Sequence, residues 1–167
     1  MATKRPKIKI PLTKLDIYLE FLTGLILAVN FFILVLNWFK LPKAIPSHFN
    51  FLGEIDAYGD KNILLLLLLL VLALYILLSV ISKFPHIYNY PVEITEENAE
   101  KQYRNAIRLM RIMKFVMVAI FTYIQYAIIK SALNQKSELD IWFLPVFLIA
   151  IFLPVGYYTY KSIKNKT

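Results

Sequence analysis

Seven consecutive leucines, positions 64–70, lie in an apolar run, 62–81, that contains no charged residue. A helix needs about 20 mostly apolar residues to cross the hydrocarbon core of a bilayer. Three further runs meet that requirement, 17–38, 112–129 and 141–160, each bounded by charges or prolines. All four are too long for strands. A chain of 167 residues cannot hide so much apolar surface in a water-soluble core. Of its residues 59% are hydrophobic and 18% charged, against roughly 25% charged in a soluble domain. That balance excludes an ordinary soluble enzyme, a disordered tail and a disulfide scaffold. There are no cysteines and only two histidines, so thiolate metal sites and a three-histidine site within one chain are excluded as well. The first run has a basic lead, but it is longer than a leader's apolar core and lacks a small-x-small cleavage site, so it reads as a retained helix.

The formal charge of +8 follows the spans. Fourteen of the 19 lysines and arginines fall in the N-terminal arm, the middle loop with its helix approach, and the tail. Five fall on the opposite side: Lys40, Lys43, Lys61, Lys130 and Lys136. By the positive-inside rule both termini are cytoplasmic. The basic side then faces anionic lipid headgroups, and its division over three membrane-proximal segments argues against nucleic acid as a partner. Trp38, Phe39, Trp142 and Phe143 would form the outer aromatic belt, and Tyr18, Tyr157, Tyr158 and Tyr160 the inner one. The chain thus reads as an all-α integral membrane protein, a single domain over 1–167. It would have four transmembrane helices, cytoplasmic termini and a structured extracytoplasmic loop between helices 1 and 2.

Prolines 85 and 91 forbid regular helix between them. Thr95, followed by Glu96 and Glu97, marks a helix start. Glu97 with Lys101 and Glu100 with Arg104 are favourable i, i+4 pairs. An amphipathic cytoplasmic stem is predicted over 96–111, running unbroken into the third span. Tyr103, Ile107 and Met110 form its apolar stripe, and Arg104, Arg108 and Arg111 its basic face, a candidate docking surface for a partner or lipid.

Polar residues within spans are functional candidates by default. Glu20 lies one turn inside the first span, within reach of water or Lys14. Asn30 lies 13 residues beyond Ile17, and Gln125 13 beyond Ile112, so the two amides share a depth and are predicted to pair. No buried run of carboxylates or histidines supports a proton pump.

The loop between the first two spans concentrates the remaining chemistry. It holds two of the four glycines, one of the two histidines and three of the eleven acids. Gly53 and Gly59 are predicted to make tight turns, prolines 42 and 46 to hold the entry extended, and Asp60 to cap the second span. His48, Asn50, Glu54, Asp56 and Lys61 are candidate polar contacts, with Phe49, Phe51 and Tyr58 as apolar anchors. Set against this, His48 and Asn50 would simply bind the loop's own backbone. His48 with Glu54 or Asp56 could ligate a divalent metal, or His48 and Asp56 could act as base and orienter. No Gly-x-Ser-x-Gly, Walker or His-Glu-x-x-His motif accompanies them, and neither a metal nor a cofactor is predicted.

The string P-S-H-F-N-F-L-G-E-I-D-A-Y-G-D-K, from Pro46 to Lys61, resembles domain of unknown function 1648, the N-terminal domain type of SdpI-type immunity proteins. The string 90–98 and the helix after it are similar to the same proteins. The resemblance implies a multi-pass protein of the bacterial cytoplasmic membrane, and protection against a secreted peptide toxin. SdpI-type proteins carry a further multi-span half that this chain does not match. The reading that results is a non-enzymatic binding or immunity-like protein, using loop 42–61 to recognise a peptide, a lipid or a membrane partner. A membrane scaffold or accessory subunit is the alternative, and a metal-dependent enzyme or transporter the third.

Overall fold

The computed structural model describes residues 5–137 and 139–166; Lys4 of the basic arm lies outside them. The chain forms α1 (Lys14–Asn37), a hairpin of β1 (Ala44–Phe49) and β2 (Ile55–Asp60), α2 (Ile63–Ile81), a 3₁₀ turn at Pro85–Ile87, α3 (Ala99–Asn134) and α4 (Phe143–Lys164). All four helices are long and apolar enough to cross a membrane. The protein is therefore mostly helical but not all-α. The loop between α1 and α2 pairs with itself as an antiparallel ladder.

Each helix begins where local chemistry lets it. Thr13, with extended backbone, accepts from the Asp16 amide, and Asp16 Oδ2 accepts from the Thr13 amide at 2.8 Å. This capping box starts α1 three residues before the apolar run does. Asp60 does not cap α2, whose N-cap is Asn62 with no side-chain capping bond; it ends β2, and its Oδ1 accepts from the Asn62 amide at 2.8 Å. Before α3, the Thr95 amide donates to Asn98 Oδ1 at 3.0 Å and the Asn98 amide to Thr95 Oγ1 at 3.4 Å. The stem and the third span are one helix of 36 residues, about 54 Å long at 1.5 Å per residue. That exceeds the hydrocarbon thickness by about 24 Å, so one end of α3 stands outside it. Gln135, at φ 54°, ends the helix in the left-handed region.

The central α3 packs against α1, α2, α4 and β1. Its contacts fix the directions. Arg111 meets Glu20 and Gln125 meets Asn30, so α1 runs parallel to α3. Lys114 meets Ser79 of α2, and Gln102 meets Ser162 of α4, while Tyr123 stacks on Phe143; both helices run antiparallel to α3. One end of the bundle thus gathers the chain termini and the 82–98 segment, and the other the hairpin and the α3–α4 loop.

Burial is inverted relative to a soluble bundle. Asn30 and Gln125 are 0% exposed, whereas Phe21 is 68% and Leu66 and Phe152 are each 66% exposed. The interior stripe of α1 is Asp16, Thr23, Asn30 and Leu34, largely polar at a seven-residue spacing. Polar groups gather within the bundle while the apolar faces turn outward, the distribution a hydrocarbon solvent selects. A small apolar cluster of Leu34, Leu41, Ile45, Leu64, Ile128 and Ile129 closes the hairpin end.

Candidate functional site

The hairpin is seated by β1. Ile45 is fully buried in the apolar cluster, and Phe49 packs against the same cluster. The ladder pairs Ile45 with Gly59, Pro46 with Tyr58, His48 with Ala57, and Phe49 with Ile55. Register shifts at Pro46/His48 and His48/Phe49 mark bulges that re-aim side chains. Pro46 lies in an extended, buried stretch of β1, as a residue without an N–H tolerates on an edge strand. It holds the entry extended, as read, and makes no turn.

The two glycines of the loop differ. Gly53 has φ +82° and closes the reversal, donating its amide to the Asn50 carbonyl at 2.9 Å. Any Cβ there would run into the Leu139 carbonyl of the α3–α4 loop. Gly59 makes no turn. It sits in β2, where a Cβ would stand 3.1 Å from the Ser47 Cβ, so the constraint is cross-strand space.

The polar candidates form two couples on the outward face. His48 Nδ1 lies 2.6 Å from Asp56 Oδ1, with side chains 68% and 42% exposed. A carboxylate on one ring nitrogen fixes the ring's orientation and leaves Nε2 as the working atom. Asn50 Oδ1 accepts from the amides of Leu52 and Glu54, at 2.9 and 3.0 Å, and its Nδ2 donates to Glu54 Oε2 at 2.8 Å. Asn50 thus does bind its own loop, whereas His48 binds a side chain. Such exposed pairs contribute about 0–1 kcal/mol, so their value lies in orientation. Among the described residues, no group of three or more histidines or carboxylates gathers as metal ligands would.

Two candidates face elsewhere. Lys61 turns back onto α1, donating to the Trp38 carbonyl at 3.2 Å with its ammonium 4.7 Å from the Trp38 ring centroid. Phe49 is an inward anchor. The outward aromatics are Phe51, 85% exposed, and Tyr58. The sequence reading missed the α3–α4 loop and the start of α4: Leu139, Asp140 and Ile141, with Phe143 and Leu144, join the hairpin around a cavity of about 300 Å³. Ser137 Oγ donates to the Gly53 carbonyl and ties the two together. They lie 84 residues apart in sequence, and no local pattern signals that approach.

At the opposite end the structure overturns the free basic face. Arg108 Nε lies 3.5 Å and Arg111 Nη1 3.1 Å from Asp16 Oδ1, while Arg111 Nε lies 3.2 Å from Glu20 Oε1. Lys114, 1% exposed, reaches Glu20 Oε2 at 2.5 Å and Ser79 Oγ at 2.8 Å. Its ammonium stands 4.7 Å from the Tyr75 ring centroid. Glu20 therefore engages α3 and not Lys14. Arg104 turns to Glu100 at 2.7 Å. The i, i+4 spacing of Asp16 and Glu20, matched to Arg108, Arg111 and Lys114, was the available signal. Asn30 and Gln125 do meet, but through the backbone: Gln125 Nε2 donates to the Asn30 carbonyl at 2.7 Å. Both side-chain atoms of Asn30 and Gln125 Oε1 are buried without partners.

Residues 25–74 match the family model described as Domain of unknown function (DUF1648). The matched stretch runs from mid-α1 through the hairpin into α2, and it contains every hairpin candidate. An uncharacterized protein of Archaeoglobus fulgidus is 25% identical over 130 residues, covering 70% of this chain and 71% of its own length. No solved structure matches the chain.

Proposed function

We propose that the protein is a non-enzymatic membrane binding protein whose hairpin captures a peptide or membrane-protein partner at the extracytoplasmic face, with both termini cytoplasmic. One observation carries this reading. A hairpin held rigidly on the bundle presents an oriented histidine–carboxylate couple beside exposed Phe51, Leu52 and Tyr58. The face combines aromatic anchors, which supply contact area, with polar groups that fix register, the composition of interaction hot spots. A mere connection between antiparallel helices would need only a few residues. Loops that keep their own shape on a rigid scaffold are commonly functional. A membrane-active peptide of the kind SdpI-type proteins resist fits the apolar tip and the adjoining cavity.

The test separates recognition from folding. His48→Ala and Asp56→Ala should abolish peptide protection or partner capture while leaving membrane abundance unchanged, because both side chains point outward. If those variants lower abundance and nothing else, the hairpin is structural and the scaffold reading replaces this one.

A further inference from the structure

A cavity of about 560 Å³ lies at the other end of the bundle, between the end of α2, the 82–98 segment, α3 and α4. That is within the usual range for small-molecule sites, about 300–1,000 Å³. In a chain of net charge +8, its lining contains no charged residue and no histidine. Arg104, Arg108 and Arg111 belong to the same turns of α3 yet are committed to carboxylates elsewhere. One wall is apolar, formed by Leu109, Met110 and Met113. Neutral polar groups also line the cavity: Asn105, one turn before Leu109 on α3, and Tyr158 and Thr159 of α4. The arginines nearest the lining are engaged, Arg108 and Arg111 by Asp16 and Glu20 and Arg5 by the His86 and Tyr88 carbonyls, so an anion would lose its hydration without a countercharge among the lining residues, which disfavours it.

Asn105 supplies the second, independent observation. It is only 8% exposed and lines the cavity. Among the described residues its carboxamide has no hydrogen-bond partner. Its neighbours are satisfied: Gln102 binds the Ser162 and Asn165 carbonyls, Tyr88 donates to the Ile81 carbonyl and Tyr90 to the Pro85 carbonyl. The Asn105 carboxamide is not among the side-chain groups sealed from solvent without partners, so it opens onto the cavity, where a ligand offering both a donor and an acceptor can pair with it. We infer that this cavity is a binding site for an uncharged amphipathic molecule, with a hydroxyl or amide head on Asn105 and an apolar body along Leu109, Met110 and Met113. Adaptable methionine side chains suit a flexible apolar body.

The matched probes are 1-monooleoylglycerol and its 3-phosphate, which share one chain and differ in one charge. The full-length protein is titrated with each and read by native mass spectrometry, alongside thermal melts without ligand. The neutral probe should bind one per chain, at least about tenfold more tightly than the phosphate. Asn105→Leu should weaken it about tenfold, the loss of one good polar contact, without lowering the ligand-free melting temperature. Ala106→Trp should fill the cavity and eliminate binding, and Ala150→Trp, on the α3–α4 outer groove, should leave it unchanged. Equal binding of the phosphate, or unchanged binding in both cavity variants, overturns the assignment. So does a lower melting temperature for Asn105→Leu, which would mean the amide serves the empty fold.

Discussion

At the scale of single residues, the interior separates groups that hold the bundle from groups that do not. Lys114 is almost fully buried and depends on Glu20 for its countercharge. Removing one partner of a buried pair costs about 3–5 kcal/mol, because the remaining charge is stranded. Glu20→Gln should approach that loss in denaturant or thermal unfolding. Glu20→Gln with Lys114→Met should recover much of it, since two neutral groups replace a pair whose desolvation was already costly. Asn30 and Gln125 behave differently. The donor is the Gln125 side chain and the acceptor is backbone, so Gln125→Leu should cost about 0.6 kcal/mol, the average for such bonds in membranes. Asn30→Leu should be neutral or stabilising, and a double-mutant cycle should show near additivity. Coupling above about 1 kcal/mol would mean that the two side chains interact directly. Outside the spans, burial pushes the Tyr88 phenol up to about 12, opposed by Arg111, and pushes Tyr90 higher still. An unfolded tyrosine ionises near ~10. Stability from these neutral phenols is therefore complete below that pH and falls as pH rises through about 12. Tyr88→Phe should flatten this alkaline loss in pH-dependent melts.

At the scale of elements, the hairpin shows what sequence can and cannot specify. Gly53 is predictable because a positive φ is a local demand that glycine meets. Gly53→Ala should lower folded abundance sharply, since it adds backbone strain and a contact with the Leu139 carbonyl. Gly59→Ala should cost less, because only the Ser47 Cβ must yield. Equal losses from the two would place the constraint in the ladder and not in the turn. Gly59 looked like a second turn because glycine next to aspartate is a turn signal, and cross-strand space cannot be read from one strand. The same limit explains the missed ladder, since six-residue strands inside an apolar chain lack a clear alternation. Helix existence was legible from run length alone. The true start of α1 at Lys14 was signalled by the Thr13–Asp16 capping box, which lies ahead of the apolar run. The stripe and the Glu100–Arg104 pair of the stem correctly indicated a helix, although it begins at Ala99 and leaves Glu97 outside it. They did not show that Arg108 and Arg111 face α1, because a single helix's pattern leaves open what it packs against.

At the scale of the whole molecule, the arrangement of the helices and the distribution of charge make one combined argument. Parallel α1 and α3, both antiparallel to α2 and α4, put the hairpin and the α3–α4 loop at one end. The termini and the 82–98 segment are at the other. Part of the basic excess at that second end is spent within the fold: Asp16 and Glu20 engage Arg108, Arg111 and Lys114, and Arg5 donates to the Tyr88 carbonyl at 2.5 Å. Lys7, Lys9, Lys14, Lys83, Lys101, Lys161, Lys164 and Lys166 still outnumber Lys40, Lys43, Lys61, Lys130 and Lys136 at the hairpin end. The positive-inside rule counts lysine and arginine near the spans, and carboxylates contribute little to it, so internal neutralisation does not reverse the orientation. The hairpin should face outward. The chain has no cysteine, so single substitutions report cleanly. Leu52→Cys at the exposed hairpin tip should react with an impermeant thiol reagent in intact cells. Asn89→Cys, exposed at the other end, should react only after permeabilisation. Labelling of Asn89→Cys alone in intact cells would invert the molecule. The hairpin would then be cytoplasmic, and a partner arriving from outside the cell could not reach it.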